Sequence, residues 1–303
     1  MATTVGFLGP EGSFSHEAVL QLPGVAARPF ETIGDVLAAV ASEQVERALV
    51  PLENAIEGTV SATIDGLVFD HDLVIEREIV LPISLHLLAR PGVGLAEVQG
   101  VYSYVHALAQ CRGYLTRLGV ASHQTTSTSE AARLVATSPE PLAAIGAALA
   151  GELFSLAVLE RDVADHPDNA TRFVLVGRHD VAAPTGQDRT TVVCFQDADR
   201  PGSLYAILGR FAARDVNLTK LESRPTKRGL GEYCFVIEFE GHVADDVVAD
   251  LLADLQAHLA RVKFLGSYPV TGEERSPDDA AVAERRIAAR RWIGEITSRV
   301  RPA

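Results

Sequence analysis

Cysteine and long hydrophobic runs are both scarce in this chain of 303 residues. The cysteines, Cys111, Cys194 and Cys234, are far apart and form no C-x-x-C pair, which predicts free thiols in a reducing compartment. The longest apolar stretch, 142–151, is about half as long as a membrane span, and the first residues lack the basic and apolar regions of a signal peptide. These absences predict a soluble, cytoplasmic protein with no membrane partner.

Positive charge is also in short supply. Lysine and arginine together number 27 against 40 aspartates and glutamates, which gives a formal net charge of −13. A chain this acidic repels a phosphate backbone, so the composition argues against a nucleic-acid partner. Any positive potential at a site must therefore be local, from a single arginine or a helix N-terminus.

Several nucleotide and metal motifs are missing. The chain has no G-x-G-x-x-G after a strand, no G-x-x-x-x-G-K-[ST] and no H-E-x-x-H, and its nine histidines show no metal-ligand spacing. Hydride transfer from a Rossmann-bound nucleotide, P-loop phosphoryl transfer and zinc hydrolysis therefore lose support.

The first 180 residues alternate strand-like and helix-like segments. Strands are predicted at 3–8, 47–50, 98–102, 120–126 and 173–176, with extended chain over 73–89, and helices at 36–40, 106–118 and 131–136. Thr32 with Asp35, and Ser127 with Glu130, have the spacing of capping boxes at two helix starts. Strands separated by helices of this length favour parallel βαβ units, and therefore one or two open α/β sheets.

A short polar linker at 179–189 separates this region from a different pattern. Over 190–268 the predicted order of elements is βαββαβ, the ferredoxin-like arrangement. Beyond 277, a basic amphipathic helix is predicted, docked on its own protein or on a second subunit rather than on a membrane. We therefore expect domains at 1–180, 190–268 and 277–303. The tail arginines are Arg285, Arg286, Arg290, Arg291, Arg299 and Arg301, and the apolar helical face is Ala289, Ile293, Ile296 and Val300.

Four polar clusters lie at predicted strand ends, where open α/β sheets bind their ligands. Residues 9–15 run from a strand into a helix, so their N–H groups suit an anion or simply cap the helix. Residues 50–59 place two acids and an amide beside a strand end. Ser103 follows a strand, Gln110 lies two helical turns later on the same face, and residues 169–173 open a strand with a hydroxyl, a guanidinium and an aromatic ring. The second of these clusters is the most unusual, and the others singly match ordinary turn chemistry.

Together, the clusters resemble the motifs of the prephenate dehydratase family, and the resemblance extends over the chain up to about residue 268. The matching motifs are Gly9-Pro10-x-Gly12-Ser13-Phe14-Ser15, Pro51-x-Glu53-Asn54-x-Ile56-Glu57-Gly58, Ala107-Leu108-Ala109-Gln110-Cys111, Ser127-Thr128 and Asn169-x-Thr171-Arg172-Phe173. The second domain resembles an ACT regulatory module, through Asn217-Leu218-Thr219 and Glu222-Ser223-Arg224-Pro225. Seven motifs in the expected order make the resemblance specific.

The resemblance implies a two-lobed α/β catalytic domain, similar to periplasmic binding proteins, in which the chain crosses between the lobes twice. It also implies the conversion of prephenate to phenylpyruvate, a carbon–oxygen lyase reaction of L-phenylalanine biosynthesis. Ring aromatisation drives that reaction, so no metal or cofactor is implied. By resemblance Thr171 is the essential residue, and Glu53, Asn54, Ser103 and Gln110 line the cleft with it. Substrate binding is implied for Arg172, Phe173, Ser13, Ser127, Thr128 and Asn169.

The proton donor has two interpretations. A threonine hydroxyl is a weak acid, so we interpret Thr171 as a hydrogen-bond donor to the departing oxygen. Glu53 is either the general acid, if burial raises its pKa, or a structural anchor for neighbouring N–H groups.

The ACT resemblance implies L-phenylalanine as an effector, bound at a seam between ACT domains of a homodimer or homotetramer. The residues implied near the effector are Gly202, Ser203, Leu204, Asn217, Leu218, Glu222, Ser223, Arg224 and Pro225. The early first strand and the absence of a dinucleotide motif lead us to expect a monofunctional enzyme, without a fused chorismate mutase or dehydrogenase.

Three departures from the family pattern stand beside these matches. Ser103-Tyr104-Val105-His106 occupies the place of Ser-His-Pro-Gln, Ala55 replaces a usual serine, and Gly202-Ser203-Leu204-Tyr205 replaces Gly-Ala-Leu-Val. Only Ser103 therefore carries over from the first of these motifs. Two other functions remain open: an arogenate dehydratase, which shares the motifs, and a non-catalytic amino-acid-sensing binding protein, whose polar clusters would only hold a ligand.

Overall fold

Runs of buried, mostly apolar residues form the central strands of the first sheet of the computed structural model, which describes residues 2–196, 200–227, 229, 231–271, 288–289, 291–293 and 295–299. The strands of this sheet are β1 (Thr3–Leu8), β2 (Val25–Phe30), β3 (Arg47–Asn54), β4 (Gly58–Thr59), β5 (Val74–Pro82) and, much later in the chain, β11 (Ala170–Gly177). Their order is β2-β1-β3-β11-β5, with β4 paired to β3. β1 runs parallel to β2 and β3, whereas β11 is antiparallel to both of its neighbours.

Helices cover both faces of this sheet and complete the first lobe. They are α1 (Phe14–Leu20), α2 (Ile33–Ala41) and α3 (Ser61–Asp65), which continues into a π-helical turn at Gly66–Asp70. Ser13 and Thr32 cap α1 and α2 by accepting a backbone N–H three residues later, as the sequence predicts for Thr32. Apolar side chains of α1 pack on β1 and β5, and those of α2 pack on β3.

The second lobe is built on a separate sheet. Its strands are β6 (His86–Ala89), β7 (Gly100–Tyr104), β8 (Ala121–Thr125), β9 (Leu142–Gly146) and β10 (Ala157–Glu160), in the order β10-β6-β9-β7-β8. Its helices are a 3-10 turn at Leu95–Glu97, α4 (Val105–Gln110), α5 (Arg112–Leu118), α6 (Thr128–Thr137) and α7 (Ala148–Leu153). Ser127 caps α6 by accepting the N–H of Glu130, as predicted.

The chain crosses from the first sheet to the second between β5 and β6 and returns between β10 and β11. This topology gives an α/β unit with two lobes of the periplasmic-binding-protein type. The prediction of parallel units holds for β2-β1-β3 in the first sheet and β9-β7-β8 in the second. It fails for the rest of each sheet, because β11 in the first and β6 and β10 in the second are antiparallel to their neighbours. The single helix predicted over 106–118 is two helices, because the buried Cys111 has φ −113° and ψ 20°, outside the helical range.

The predicted βαββαβ module is confirmed. It consists of β12 (Asp188–Phe195), α8 (Ser203–Ala212), β13 (Leu218–Pro225), β14 (Tyr233–Glu240), α9 (Asp246–His258) and β15 (Arg261–Pro269). The antiparallel strand order is β13-β14-β12-β15. The two helices pack on one face of this sheet.

The other face of the βαββαβ sheet packs on the first lobe. One hydrophobic core unites Val193, Val236 and Tyr268 of the module with residues of α2, β3 and β5. Gly266 has φ +137°, and a side chain there would collide with the backbone of Ile75 in β5, so only glycine permits this close approach. The module and the first lobe therefore share a core rather than being joined by a linker alone.

The tail forms a unit of its own over Val270–Ala303. Its described residues are 270–271, which directly follow β15, and 288–289, 291–293 and 295–299, which are helical or in turns. Arg285, Arg286, Arg290, Val300 and Arg301 lie outside the described residues, so the amphipathic face and its docking stay a prediction. Within the part of the chain that the structure describes, no helix combines the length and apolarity that a bilayer span requires.

Candidate active site

The carboxamide of Asn54, at the end of β3, organises a polar network at the boundary of the two lobes. Its Oδ1 accepts the backbone N–H groups of Ile56 and Glu57, at 2.9 and 3.0 Å. Backbone N–H groups can only donate, so these contacts fix which end of the amide is oxygen. The Nδ2 group therefore faces the other way, with both of its protons available to donate.

Thr171, Asn169 and, at 3.2 Å, the carbonyl of Ala170 accept hydrogen bonds from the Nδ2 group of Asn54. Asn54 and Thr171 are direct register partners on the adjacent strands β3 and β11. Asn54 Nδ2 donates to Thr171 Oγ1 at 2.9 Å and to Asn169 Oδ1 at 2.9 Å. Because the threonine oxygen acts as an acceptor here, its own proton remains available for a further partner. Accepting a hydrogen bond also polarises the hydroxyl and strengthens it as a donor.

The network continues into the second lobe. Asn169 Nδ2 donates to Gln110 Oε1 at 3.1 Å, and Gln110 Nε2 donates to Glu57 Oε1 at 3.1 Å. His106, one turn before Gln110 on α4, has its Nδ1 2.9 Å from the other oxygen of Glu57. The lobes are therefore joined by side chains of α4 and of the turn after β3. We call these side chains the cleft network: Asn54, Glu57, His106, Gln110, Asn169 and Thr171.

A β-bulge determines which residue of β3 faces the cleft. Arg172 pairs with Glu53, but the next residue of β11, Phe173, pairs with Pro51, so Leu52 is the extra residue. The bulge interrupts the two-residue alternation of β3. As a result Asn54 lies on the side of Thr171, while Glu53 lies on the opposite side with Arg172.

Arg172 is the centre of an ion cluster on that opposite side. Its Nη2 donates to Glu53 Oε2 at 2.9 Å and to Glu238 Oε2 of β14 at 2.9 Å, and its Nη1 lies 3.4 Å from Glu78 Oε2 of β5. Lys220 of β13 lies 3.1 Å from Glu53 Oε1. The ion cluster comprises Glu53, Glu78, Arg172, Arg189, Lys220 and Glu238, and it joins the first lobe to the βαββαβ module.

This arrangement differs from the expectation for Arg172 and Glu53. Arg172 was expected to bind substrate, but its side chain is 12% exposed and its guanidinium is engaged by three carboxylates away from Thr171. Burial by itself would raise the pKa of Glu53, but hydrogen bonds from Arg172 and Lys220 outweigh burial and hold that pKa below its usual range. The geometry therefore favours the anchoring role for Glu53 over the general-acid role.

Other expected site residues have local structural partners. Ser103 is fully buried, and its Oγ donates to the carbonyl of Ile145 on the neighbouring strand β9 at 2.6 Å. It is therefore not part of the cleft network. Phe173 is part of the apolar core under α1. Ser13 and Ser127 use their side chains as helix caps, and Thr128 is the first residue of α6.

The expected effector residues fall into two groups. Gly202, with φ +87°, caps α8, Ser203 begins that helix, and Leu204 and Leu218 both pack on the core of the βαββαβ module. Asn217 Nδ2 donates to Glu240 Oε1 at 2.7 Å. Glu222 and Arg224 instead point at the first lobe, where they contact Thr59 and Asp65, and Ser223 and Pro225 are exposed.

Sequence reasoning missed Glu57 and His106 as site residues. Glu57 belongs to a matched motif, and His106 belongs to the segment 103–106, which departs from the family motif. Their signal was the spacing of His106 and Gln110, which four residues apart on a helix share one face. This spacing indicates a site only when the partner in the first lobe is known, and that partner, Glu57, lies 49 residues before His106.

Comparison with known proteins gives consistent matches along the chain. The prephenate dehydratase family model matches residues 5–181, and the ACT domain model matches residues 190–257. A prephenate dehydratase of Amycolatopsis methanolica is 38% identical over 298 residues, which cover 96% of this chain and 97% of the relative.

Two solved structures are similar over most of their length. Prephenate dehydratase from Arthrobacter aurescens in complex with L-Phe has a TM-score of 0.84 and 38% identity, and the match covers 98% of this chain and all of that one. GqqA, described as a novel type of quorum quenching acylases, has a TM-score of 0.81 and 31% identity, covering 88% of this chain and 98% of its own.

Proposed function

This chain belongs to the prephenate dehydratase family, and from that premise we propose that it converts prephenate to phenylpyruvate as a carbon–oxygen lyase of L-phenylalanine biosynthesis. The bond from the ring to the carboxylate breaks and releases carbon dioxide, and its electron pair enters the ring. The bond to the ring hydroxyl breaks at the other end, and the departing hydroxide takes up a proton to give water. The product ring is aromatic, which supplies the driving force.

The observation that carries this proposal is the convergence of Thr171, Asn54, Asn169 and Gln110 from both lobes. Asn54 orients the Thr171 hydroxyl so that its proton can be donated to the departing oxygen. Donors that are already oriented toward developing negative charge stabilise a transition state without reorganising. Gln110 and Asn169 hold the cleft in the geometry that this donation needs.

Charge at the cleft fits a dianionic substrate. The amides and the hydroxyl around Thr171 are uncharged, and the carboxylate of Glu57 is held by Gln110 and His106 at the junction of the lobes. The bulge in β3 turns the ionised Glu53 to the far side of the sheet. The N-terminus of α6, capped by Ser127, is suited to one substrate carboxylate through its backbone N–H groups, including that of Thr128. Arg172 stabilises the far side of the sheet instead of holding substrate.

We further propose feedback by L-phenylalanine through the ACT domain. The relative from Arthrobacter aurescens is a complex with L-Phe, which supports this amino acid as the effector. The expected pocket is formed by the α8 start at Gly202–Leu204 with Asn217 and Leu218. Pairing of ACT domains between copies of the chain, as a homodimer or homotetramer, remains part of the proposal, as does a cytoplasmic location, which the free, buried cysteines favour.

Turnover on defined substrates tests the proposal. The purified full chain is incubated with prephenate, with arogenate and with an acylated amide, each with and without phenylalanine. We expect phenylpyruvate from prephenate, and a shift of its saturation curve on addition of phenylalanine. Faster turnover of arogenate would favour an arogenate dehydratase, release of an acyl group would favour the activity of GqqA, and binding without turnover would favour an amino-acid sensor.

A further inference from the structure

Strand β13 of the ACT domain presents three charged side chains to the first lobe. Lys220, Glu222 and Arg224 are two residues apart, so they share one face of the strand. Lys220 reaches Glu53 and, at 2.8 Å, Thr59 of β4. Glu222 accepts from Thr59 Oγ1 at 2.7 Å, and Arg224 binds Asp65 of α3. The strand therefore contacts the segment that follows Asn54 at several points.

Strand β14 contributes a second contact from the same domain. Glu238 is 1% exposed, and its Oε1 and Oε2 accept hydrogen bonds from Arg172 Nη2 at 3.1 and 2.9 Å. The ion cluster contains three carboxylates and three cations, so its formal charges balance. Buried ions are tolerated when they are paired in this way, and removing one partner leaves its neighbours uncompensated.

Two of these contacts, Lys220 with Glu53 and Glu238 with Arg172, fall one residue from the cleft network. Glu53 immediately precedes Asn54 on β3, and Arg172 immediately follows Thr171 on β11. Neighbouring residues on a strand point to opposite faces, so a shift of one side chain's anchor moves the backbone that carries the other. The positions of Asn54 and Thr171 are therefore coupled to Lys220 and Glu238 through a single residue on each strand.

We propose that Lys220 and Glu238 are positioning residues of the active site that the ACT domain supplies, acting through Glu53 and Arg172. The inference rests on the proposed dehydratase function and specifies its regulation. β13 starts at Leu218, beside the expected effector residue Asn217, so an effector that displaces β13 displaces Lys220 with it. Phenylalanine then alters the geometry of Asn54 and Thr171 without entering the cleft.

The test compares two lysines of the same domain in the full chain. Lys220→Met removes the contact to Glu53, and Lys227→Met is the matched control, since Lys227 pairs with Asp65 of the first lobe at 3.0 Å but does not reach Glu53. We measure kcat, KM, and the fold-change in half-saturation caused by phenylalanine, and we measure phenylalanine binding by calorimetry.

We expect Lys220→Met to lower kcat several-fold and to reduce the effect of phenylalanine by about threefold or more, with phenylalanine still bound. Lys220→Arg should restore both values, and Lys227→Met should leave both within about twofold of the wild type. Equal effects of Lys220→Met and Lys227→Met would overturn the inference. If Lys220→Met does not fold, Glu238→Gln is the second variant, and it should likewise reduce the effect of phenylalanine on half-saturation. An effect of Glu238→Gln equal to that of Lys227→Met would overturn the inference. A wild-type chain that does not convert prephenate, or ignores phenylalanine, would contradict the proposed function instead.

Discussion

The two faces of strands β3 and β11 carry opposite kinds of polar chemistry. The cleft face presents an oriented chain of amides and one hydroxyl, centred on Asn54 and Thr171. The face toward the ACT domain holds paired full charges, centred on the largely buried side chain of Arg172 and the partly exposed Glu53. A carboxylate beside Thr171 would repel a dianion, and the carboxylate that the cleft network does contain, Glu57, faces His106 at the junction of the lobes. An unpaired arginine under the ACT domain would be costly to bury. The difference indicates that on each strand one residue serves catalysis, while its neighbour attaches the ACT domain to the first lobe.

Removing the hydroxyl of the cleft face should have the largest effect. Thr171→Ala loses the donor to the departing oxygen while Asn54, Asn169 and Gln110 remain, so we expect kcat to fall about 100-fold or more, with KM little changed. Steady-state formation of phenylpyruvate measures both constants. Thr171→Ser keeps the hydroxyl and should retain much of kcat. A near-normal kcat for Thr171→Ala would remove this hydroxyl from the mechanism.

On the ACT face, the corresponding change should act on stability. Arg172→Met leaves Glu53, Glu78 and Glu238 without their shared partner, so we expect a loss of about 3–5 kcal/mol in the free energy of unfolding. Denaturant titration of the full chain provides this value. Arg214→Met, which removes partly exposed ion pairs with Asp250 and Asp254 on the outer surface of the ACT helices, is the control and should cost clearly less than Arg172→Met. Unchanged stability of Arg172→Met together with a large rise in KM would instead support substrate binding by Arg172.

The contact between the lobes offers a smaller effect within the cleft face. Glu57→Gln retains an acceptor for Gln110 but loses the charge that faces His106, and both groups are about half exposed. We expect KM to rise by about two- to fivefold with kcat nearly unchanged, since pairs at such exposure contribute up to about 1 kcal/mol.

The matched control for that change is Glu43→Gln, whose carboxylate lies 3.8 Å from Arg178 outside the cleft. Its KM should equal that of the wild type. If Glu57→Gln and Glu43→Gln give the same KM, the lobes are not held together by Glu57.

Lowering the pH should weaken the ion cluster on the ACT face, whereas the amides on the cleft face carry no charge to lose. The pKa of Glu53 is lower in the folded chain than its ordinary value, so its ionised form adds stability above about pH 4.3, and that stability is lost as the pH falls through the folded value. Glu53→Gln should therefore differ most from the wild type in melting temperature near neutral pH, and the difference should shrink steadily as the pH falls below about 4.3. A difference that is constant across this range would contradict the ionic role.

The sequence was sufficient for features that depend on local spacing. The caps at Thr32 and Ser127, the βαββαβ order and the pairing of Asn54 with Thr171 at one site all follow from short motifs or from the family resemblance. The bulge at Leu52 could not be predicted, because it exists only in the pairing of β3 with a strand more than 100 residues later. Without the bulge, simple alternation along β3 would place Glu53, instead of Asn54, opposite Thr171 on the cleft face.

Long-range partners account for the other differences. Arg172 has the residue type that substrate carboxylates favour, and only the packing of the ACT sheet on the first lobe reveals its carboxylate partners. Ser103 was expected just past a strand that ends at 102, but it lies inside β7, and the neighbouring strand β9 supplies the carbonyl that its hydroxyl binds. In each case a chemically suitable side chain was identified, and a contact distant in sequence determined its role.

The most direct test of the division between the faces is a calorimetric titration of Thr171→Ala with prephenate, with phenylpyruvate absorbance recorded on the same sample. The account predicts that this variant binds prephenate within about threefold of the wild-type KM and forms almost no phenylpyruvate. Turnover at the wild-type rate, or loss of prephenate binding by a variant that is still folded, would contradict it.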